Sequence, residues 1–253
     1  MLVLTFLIEI VVMLGAPVAL GLFLWRRWGL SWMLFFAGAV TFVGSQVVHL
    51  PLNEGLTALF RLDWMPKPPE AWQLPFNAVV LGLTAGLCEE TARYLVYRFW
   101  RKNARTWRQA LMFGAGHGGV ESVIFGLLVG VTFVSMAALR GVDVTEMGLP
   151  AEAARQVADY WAIPAYMPLL GAAERLLAIL LHLSLAALVM QAFLRQRLWP
   201  LWAAIGWHAL VDAVTIYVSG TWSAVAAEAS LAVLSLGSVG ILWATRRARA
   251  DRP

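Results

Sequence analysis

Along this chain the apolar positions fall into seven long runs, at roughly 2–25, 31–50, 74–97, 109–137, 164–194, 198–218 and 224–245, separated by short polar gaps. Crossing a hydrocarbon core of roughly 30 Å takes about 20 helical residues, and each run meets that length. The pattern predicts an all-α fold, a polytopic transmembrane helix bundle of about seven spans. The runs at 109–137 and 164–194 exceed the required length and are expected to tilt, kink or extend into water. Two gaps are longer. Residues 51–73 carry Asn53, Glu54, Arg61, Asp63 and the Pro-Lys-Pro-Pro stretch at 66–69, with 56–64 expected to lie in the interface. Residues 138–163 carry Asp143, Glu146, Glu152, Arg155 and Asp159, and Pro150 is placed to open a short helix there. Short gaps and the absence of a linker make residues 1–253 a single integral membrane domain. The first run lacks a basic start and is long enough to span, so no cleavable leader is expected.

Composition explains where so much apolar surface goes. The chain is 60% hydrophobic and 13% charged, against about 25% charged for a soluble domain. One soluble core cannot hide it, so the lipid bilayer is the expected partner. The formal charge of +4 is not a nucleic-acid signal, because the cations sit in short clusters between apolar runs. A single cysteine, Cys88, rules out a disulfide within the chain.

Those clusters also predict orientation. Arg26, Arg27, Arg98, Arg101, Lys102, Arg105, Arg108, Arg195, Arg197, Arg246, Arg247, Arg249 and Arg252 fall on one side of the seven spans, and only Arg61, Lys67, Arg140 and Arg155 on the other. Thirteen against four places the N-terminus outside and the C-terminus in the cytoplasm.

Ten further acidic, basic or histidine residues lie inside the third to sixth runs: Glu89, Glu90, Arg93, His117, Glu121, Glu174, Arg175, His182, His208 and Asp212. Seven of them are normally charged. At roughly 3 kcal/mol each, their unpaired burial in lipid costs on the order of 20 kcal/mol, more than the about 5–15 kcal/mol that holds a fold together. They must face one another or water. Glu89 and Arg93, His117 and Glu121, and His208 and Asp212 are each four apart, hence on one helical face. Glu90, His117, His182 and His208 all fall roughly 13–20 Å from the cytoplasmic edge at about 1.5 Å per residue. Gly114, Gly116, Gly118 and Gly119 surround His117, where small residues allow close helix approach or leave room for a ligand.

Carboxylate and imidazole at one depth can activate water. Glu89 or Glu90 is the candidate general base and Arg93 the cation beside it; His117 and Glu121 flank the water. His208 and Asp212 are placed to polarise a carbonyl and hold an oxyanion. His117, His182 and His208 with one carboxylate also make an N/O set suited to zinc, so metal-assisted and metal-free hydrolysis both stay open. His49 is read as interfacial, at the outer end of the second run. No His-Glu-x-x-His occurs, which argues against a zincin-like site. The two lysines lie in gaps, which argues against a retinal protein.

The run Glu89-Glu90-Thr91-Ala92-Arg93, then Phe113-Gly114-Ala115-Gly116-His117, then His208 to Asp212, resembles the EE…R, FxxxH and HxxxN/D motifs of the CPBP superfamily of type II CAAX prenyl proteases and bacteriocin-processing proteins. Gly116-His117-Gly118-Gly119-Val120-Glu121, with Glu174-Arg175 and His182, looks closer still to the YhfC-type intramembrane metalloproteases of bacteria. The resemblance covers about 74–218, the expected catalytic core. It implies an intramembrane endopeptidase, a metalloprotease or glutamate-type hydrolase, in the inner (cytoplasmic) membrane of a bacterium and acting on a membrane protein or peptide substrate. Two residues separate Glu90 from Arg93; the prenyl-protease pattern has three, and the spacing resembles PrsW-type proteases instead. Buried Glu, His and Arg chains equally suit a proton- or ion-coupled transporter, and a non-catalytic membrane scaffold is a third reading.

Overall fold

A computed structural model describes residues 1–142, 147–148 and 150–247. Asp143, Glu146, Arg249 and Arg252 lie outside the described residues. Among those described there are eight α-helices and no strand. They are α1 (Leu2–Trp28), α2 (Trp32–Arg61), α3 (Glu70–Leu95, continued by a π-helical turn at Val96–Trp100), α4 (Trp107–Ala138), α5 (Ala151–Ala162), α6 (Met167–Leu194), α7 (Trp199–Thr221) and α8 (Ala224–Arg247). All but α5 are long and apolar enough to cross a membrane, which is the predicted seven.

The helix ends follow local chemistry. Gly29 closes α1 with φ of 64°, a left-handed conformation open to glycine, and its N–H returns to the Trp25 carbonyl at 2.8 Å. Ser31 caps α2 and Thr106 caps α4 through their side-chain oxygens. Pro150 stands at the N-cap of α5, where a short helix was expected. That helix docks by its aromatic end: Tyr160 stacks on Phe6 at 4.9 Å, and the Trp161 indole N–H donates to the Met136 carbonyl.

One boundary differs from the pattern. α2 does not stop at residue 50 but runs through Pro51 to Arg61, and α3 begins at Glu70, so the gap shrinks to 62–69. Proline removes one backbone donor. Side-chain contacts with α3 hold the extension in place: Phe60 meets the Phe76 ring edge-on at 5.6 Å, and Asn53 bonds both His49 and Thr84.

Seven traverses define two faces. The N-terminus, the 62–69 loop, α5 and the 222–223 turn share one, here called the N-terminal face. The turns at 29–31, 101–106 and 195–198 and the end of α8 share the other, the basic face. Helices α2, α3, α7, α8, α6 and α4 pack in sequence around a ring, and α1 lies outside it against α4 and α6. The solid core occupies the basic half. There α6 is buried at every residue from 184 to 192, among Tyr97, Phe113, Leu201 and Ala204.

Close helix approach depends on glycine. A Cβ on Gly116 would sit 1.8 Å from the Phe35 carbonyl oxygen, and one on Gly38 would sit 2.0 Å from the Phe113 carbonyl oxygen. Both obstacles are backbone, so α2 and α4 must separate to admit even a methyl group. Gly116→Ala is expected to lower stability by about 1–3 kcal/mol or more, read as a fall in the thermal unfolding midpoint in detergent. Gly15→Ala, with nothing within 4 Å of the added carbon, should leave it unchanged or slightly raised.

Candidate functional site

The chain places its intramembrane acids and histidines on facing walls of the ring. α3 brings Glu89, Glu90 and Arg93; α4 brings His117 and Glu121; α6 brings Glu174, Arg175 and His182; α7 brings His208 and Asp212. The glycines beside His117 set the spacing. A Cβ on Gly118 would lie 2.8 Å from the His182 ring, and one on Gly114 would lie 2.7 Å from the His182 carbonyl oxygen. The bare face of α4 therefore lets the His182 ring lie against it, 4.9 Å from that of His117.

Hydrogen bonds divide the group into two connected sets. In the first, Glu89 Oε2 is 3.0 Å from His117 Nε2, and Glu89 Oε1 accepts from the Gln46 side-chain amide at 3.0 Å. Gln46 Oε1 is 3.1 Å from His49 Nδ1, and His49 Nε2 is 2.9 Å from the Asn53 amide nitrogen. In the second, Arg93 lies 3.1 Å from Glu90 Oε2 and donates to His182 Nδ1 at 3.2 Å. Guanidinium can only donate, so His182 Nδ1 accepts, and the ring carries its hydrogen on Nε2. That nitrogen donates to Glu121 Oε2 at 2.8 Å, and Arg175 spans Glu121 and Glu174. Glu90 Oε1 meets His208 Nδ1 at 2.9 Å, with Asp212 3.5 Å from the other ring nitrogen.

Three expectations change in detail. Arg93 pairs with Glu90, three residues back, and not with Glu89. Glu121 engages His182 and Arg175, while His117, on its own helical face, takes Glu89. His49, read as interfacial, does not end its helix: α2 continues to Arg61, and His49 lines the site cavity with Gln46. Gln46 and Asn53 were not singled out in the sequence. The signal was there in Gln46, His49 and Asn53, spaced three and four apart on one face of α2.

The cavity has a volume of about 250 Å³. Glu89, Glu121, Glu174, Arg175, His208 and Asp212 are among the residues that reach it. Glu90 and Arg93 do not; both are wholly buried behind its wall.

The donor set was tested against a metal ion. One ligand atom each from Glu89, His117 and His182 lies within 4.8 Å of the others, all three residues being buried. Two imidazoles and a carboxylate match the His₂Glu set of catalytic zinc sites, which keep a fourth position open. His117 Nδ1 is moreover buried without a hydrogen-bond partner, an unmet polar atom of the kind an ion or an ordered water answers. The residues fit a metal. Of the expected set of His117, His182 and His208 with one carboxylate, the group holds His117 and His182 with Glu89 as the carboxylate, while His208 is bonded to Glu90 and lies 3.5 Å from Asp212.

A family model described as YhfC intramembrane metalloprotease matches residues 10–233. The chain belongs to that family. It is 30% identical over 243 residues to the protein named "Uncharacterized membrane protein YhfC" of Bacillus subtilis (strain 168), covering 91% of each chain. No solved structure matches. Membership agrees with a multi-pass integral membrane protein and with a buried Glu/His/His group compatible with a metal ion.

Arg93 is the joint between the acids of α3 and the histidine of α6. Arg93→Met is expected to strand Glu90 and His182 without their cation and to destabilise by about 3–5 kcal/mol. Denaturant or thermal unfolding in detergent reads this. Arg155→Met, which breaks an exposed pair with Glu152, should change stability by less than about 1 kcal/mol.

Proposed function

We propose that this protein is an intramembrane endopeptidase that hydrolyses a peptide bond in or near the bilayer with a metal-assisted water. The observation that carries the reading is the convergence of Glu89, His117 and His182, of which Glu89 and His182 line a cavity among the membrane helices and His117 stands wholly buried beside them. A second carboxylate, Glu121, reaches that cavity while being held in place by His182 and Arg175.

Each residue then has a task that its surroundings support. Glu89, His117 and His182 would hold the ion, and zinc bound there would supply Lewis-acid polarisation and a water of lowered pKa. Glu121 accepts the proton of the attacking water and returns it to the leaving amide nitrogen. Glu90 is less suited to that role, because it is enclosed and its oxygens face Arg93 and His208. Its work is to orient His208. His208 and Asp212, which line the same cavity, would polarise the carbonyl and hold the charge that develops on its oxygen. Gln46 fixes the second oxygen of Glu89.

Metal analysis of the purified protein tests the binding half. Stoichiometric zinc is expected, and His117→Ala should lose it. Gln46→Leu, which removes only a partner of Glu89, should weaken zinc binding about 10–100-fold. Reconstitution with a bacterial membrane-protein extract tests the chemical half, with new peptide N-termini read by mass spectrometry. Glu121→Gln should keep zinc and reduce their formation by about 10²–10⁴-fold. Full cleavage by Glu121→Gln would remove that residue from the mechanism. Cleavage undiminished by His117→Ala would end the metallopeptidase reading.

A further inference from the structure

The two halves of the helix ring are built differently on either side of the site. Towards the basic face the layer next to Arg93 is solid, with Tyr97, Phe113, Leu185, Val189 and Met190 all wholly enclosed. A hollow of about 380 Å³ opens on that face beside Arg98 and Arg197. It ends at the stacked rings of Tyr94 and Phe193, 4.8 Å apart, and holds none of the site's acids or histidines.

Towards the N-terminal face the construction is open and polar. The site cavity continues outward along α7 to Thr215, along α6 to Glu174 and along α2 to His49. Beyond His49 lies a second cavity of about 430 Å³, between α2, α3 and the loop that joins them. Asn53 lines this second cavity and bonds His49, which lines the first, so the two share one hydrogen-bonded wall. A polar line of Asn53, His49 and Gln46 thus leads from the outer cavity to Glu89.

The outer cavity also has a definite chemistry. Asn53, Gln73 and Asn77 offer side-chain amides, each both donor and acceptor. Leu56, Phe60 and Phe76 form apolar wall beside them. An extended polypeptide needs that combination, because its backbone N–H and C=O groups are unpaired and its side chains alternate in direction.

We infer that the site is loaded from the N-terminal face by an extended polypeptide segment, which lies in the amide-lined cavity between α2 and α3 and passes His49 to reach Glu89. That the occupant is a polypeptide rests on the peptidase reading; the direction of loading rests on the cavities alone. With the arginine clusters facing the cytoplasm, the loading face is extracytoplasmic. The substrate class is then membrane or exported proteins that present an unwound segment on that side.

Substituted-cysteine labelling tests the direction without any substrate. In a Cys88→Ala background, oriented vesicles carrying Thr215→Cys, Asn77→Cys or Met190→Cys are treated with a membrane-impermeant maleimide on one face or the other. Thr215→Cys and Asn77→Cys should label from the N-terminal face only, and Met190→Cys from neither. Labelling of Thr215→Cys from the basic face, or from neither face, would overturn the inference. The route is tested by Asn77→Trp, which fills the outer cavity: formation of new N-termini should be lost while zinc content stays at the wild-type level. Cleavage that survives Asn77→Trp would overturn the route alone. Wild-type protein that labels as expected but cleaves nothing would instead overturn the polypeptide occupant together with the peptidase reading.

Discussion

Everything in this structure turns on the mutual neutralisation of ionisable side chains in a layer where water cannot do it. A lone carboxylate or guanidinium at this depth costs several kcal/mol. Among the described residues, those of the site are paired with one another. Arg93 is shared by Glu90 and His182, Glu121 by His182 and Arg175, and Glu89 by His117 and Gln46. All of these bonds except Arg93–Glu90, which lies within α3, tie one helix to another, and Glu90–His208 adds α7, so the network that makes burial tolerable also fixes the relative positions of α2, α3, α4, α6 and α7. The polar layer acts as a structural clamp, and removing one member exposes its neighbours to the penalty that it was cancelling.

Glycine makes the clamp reachable. Imidazole and carboxylate arms are short, so helices bearing them must come within backbone contact. α2 and α4 do so at Gly38 and Gly116, where no side chain of any size fits, and α4 meets His182 across Gly114 and Gly118. The glycines read in the sequence as either packing or ligand room serve packing. The one at 116, with Gly38 of α2, brings backbones together, and the one at 118 leaves the volume that the His182 ring fills.

Much of this was legible beforehand because the membrane imposes simple rules. Seven apolar runs gave seven spans, and residue counts from the arginine clusters put the histidines in one layer. Two kinds of information were missing. A hydropathy pattern ends a run at Pro51 and the polar residues after it, since it cannot see Phe60 finding Phe76 or Asn53 finding Thr84. His49 was consequently read as interfacial. Adjacent residues on a helix also point about 100° apart. Glu89 and Glu90 therefore look identical in depth and chemistry, yet one faces α2 and α4 and the other faces α7. Which one borders the cavity is decided by the rotation of α3, and that depends on the close contacts of Gly82 and Gly86 with the backbone of α7.

The hydrogen on His182 links the clamp to the chemistry. Arg93 occupies Nδ1 as a donor, so the ring offers Nε2–H to Glu121. An imidazole in that state has no lone pair left to give a cation. A neutral imidazole could serve as a ligand through Nε2 only with its hydrogen on Nδ1, so Arg93 would have to give up that nitrogen and keep to Glu90 and the His182 carbonyl oxygen, and the Glu121 oxygen would have to yield its place. On the metallopeptidase reading the tautomer of His182 would therefore decide two things together: whether the ring has a lone pair to offer beside Glu89 and His117, and whether Glu121 has an oxygen free to accept a proton. Arg175 would retain the other oxygen of Glu121, a residue that lines the cavity.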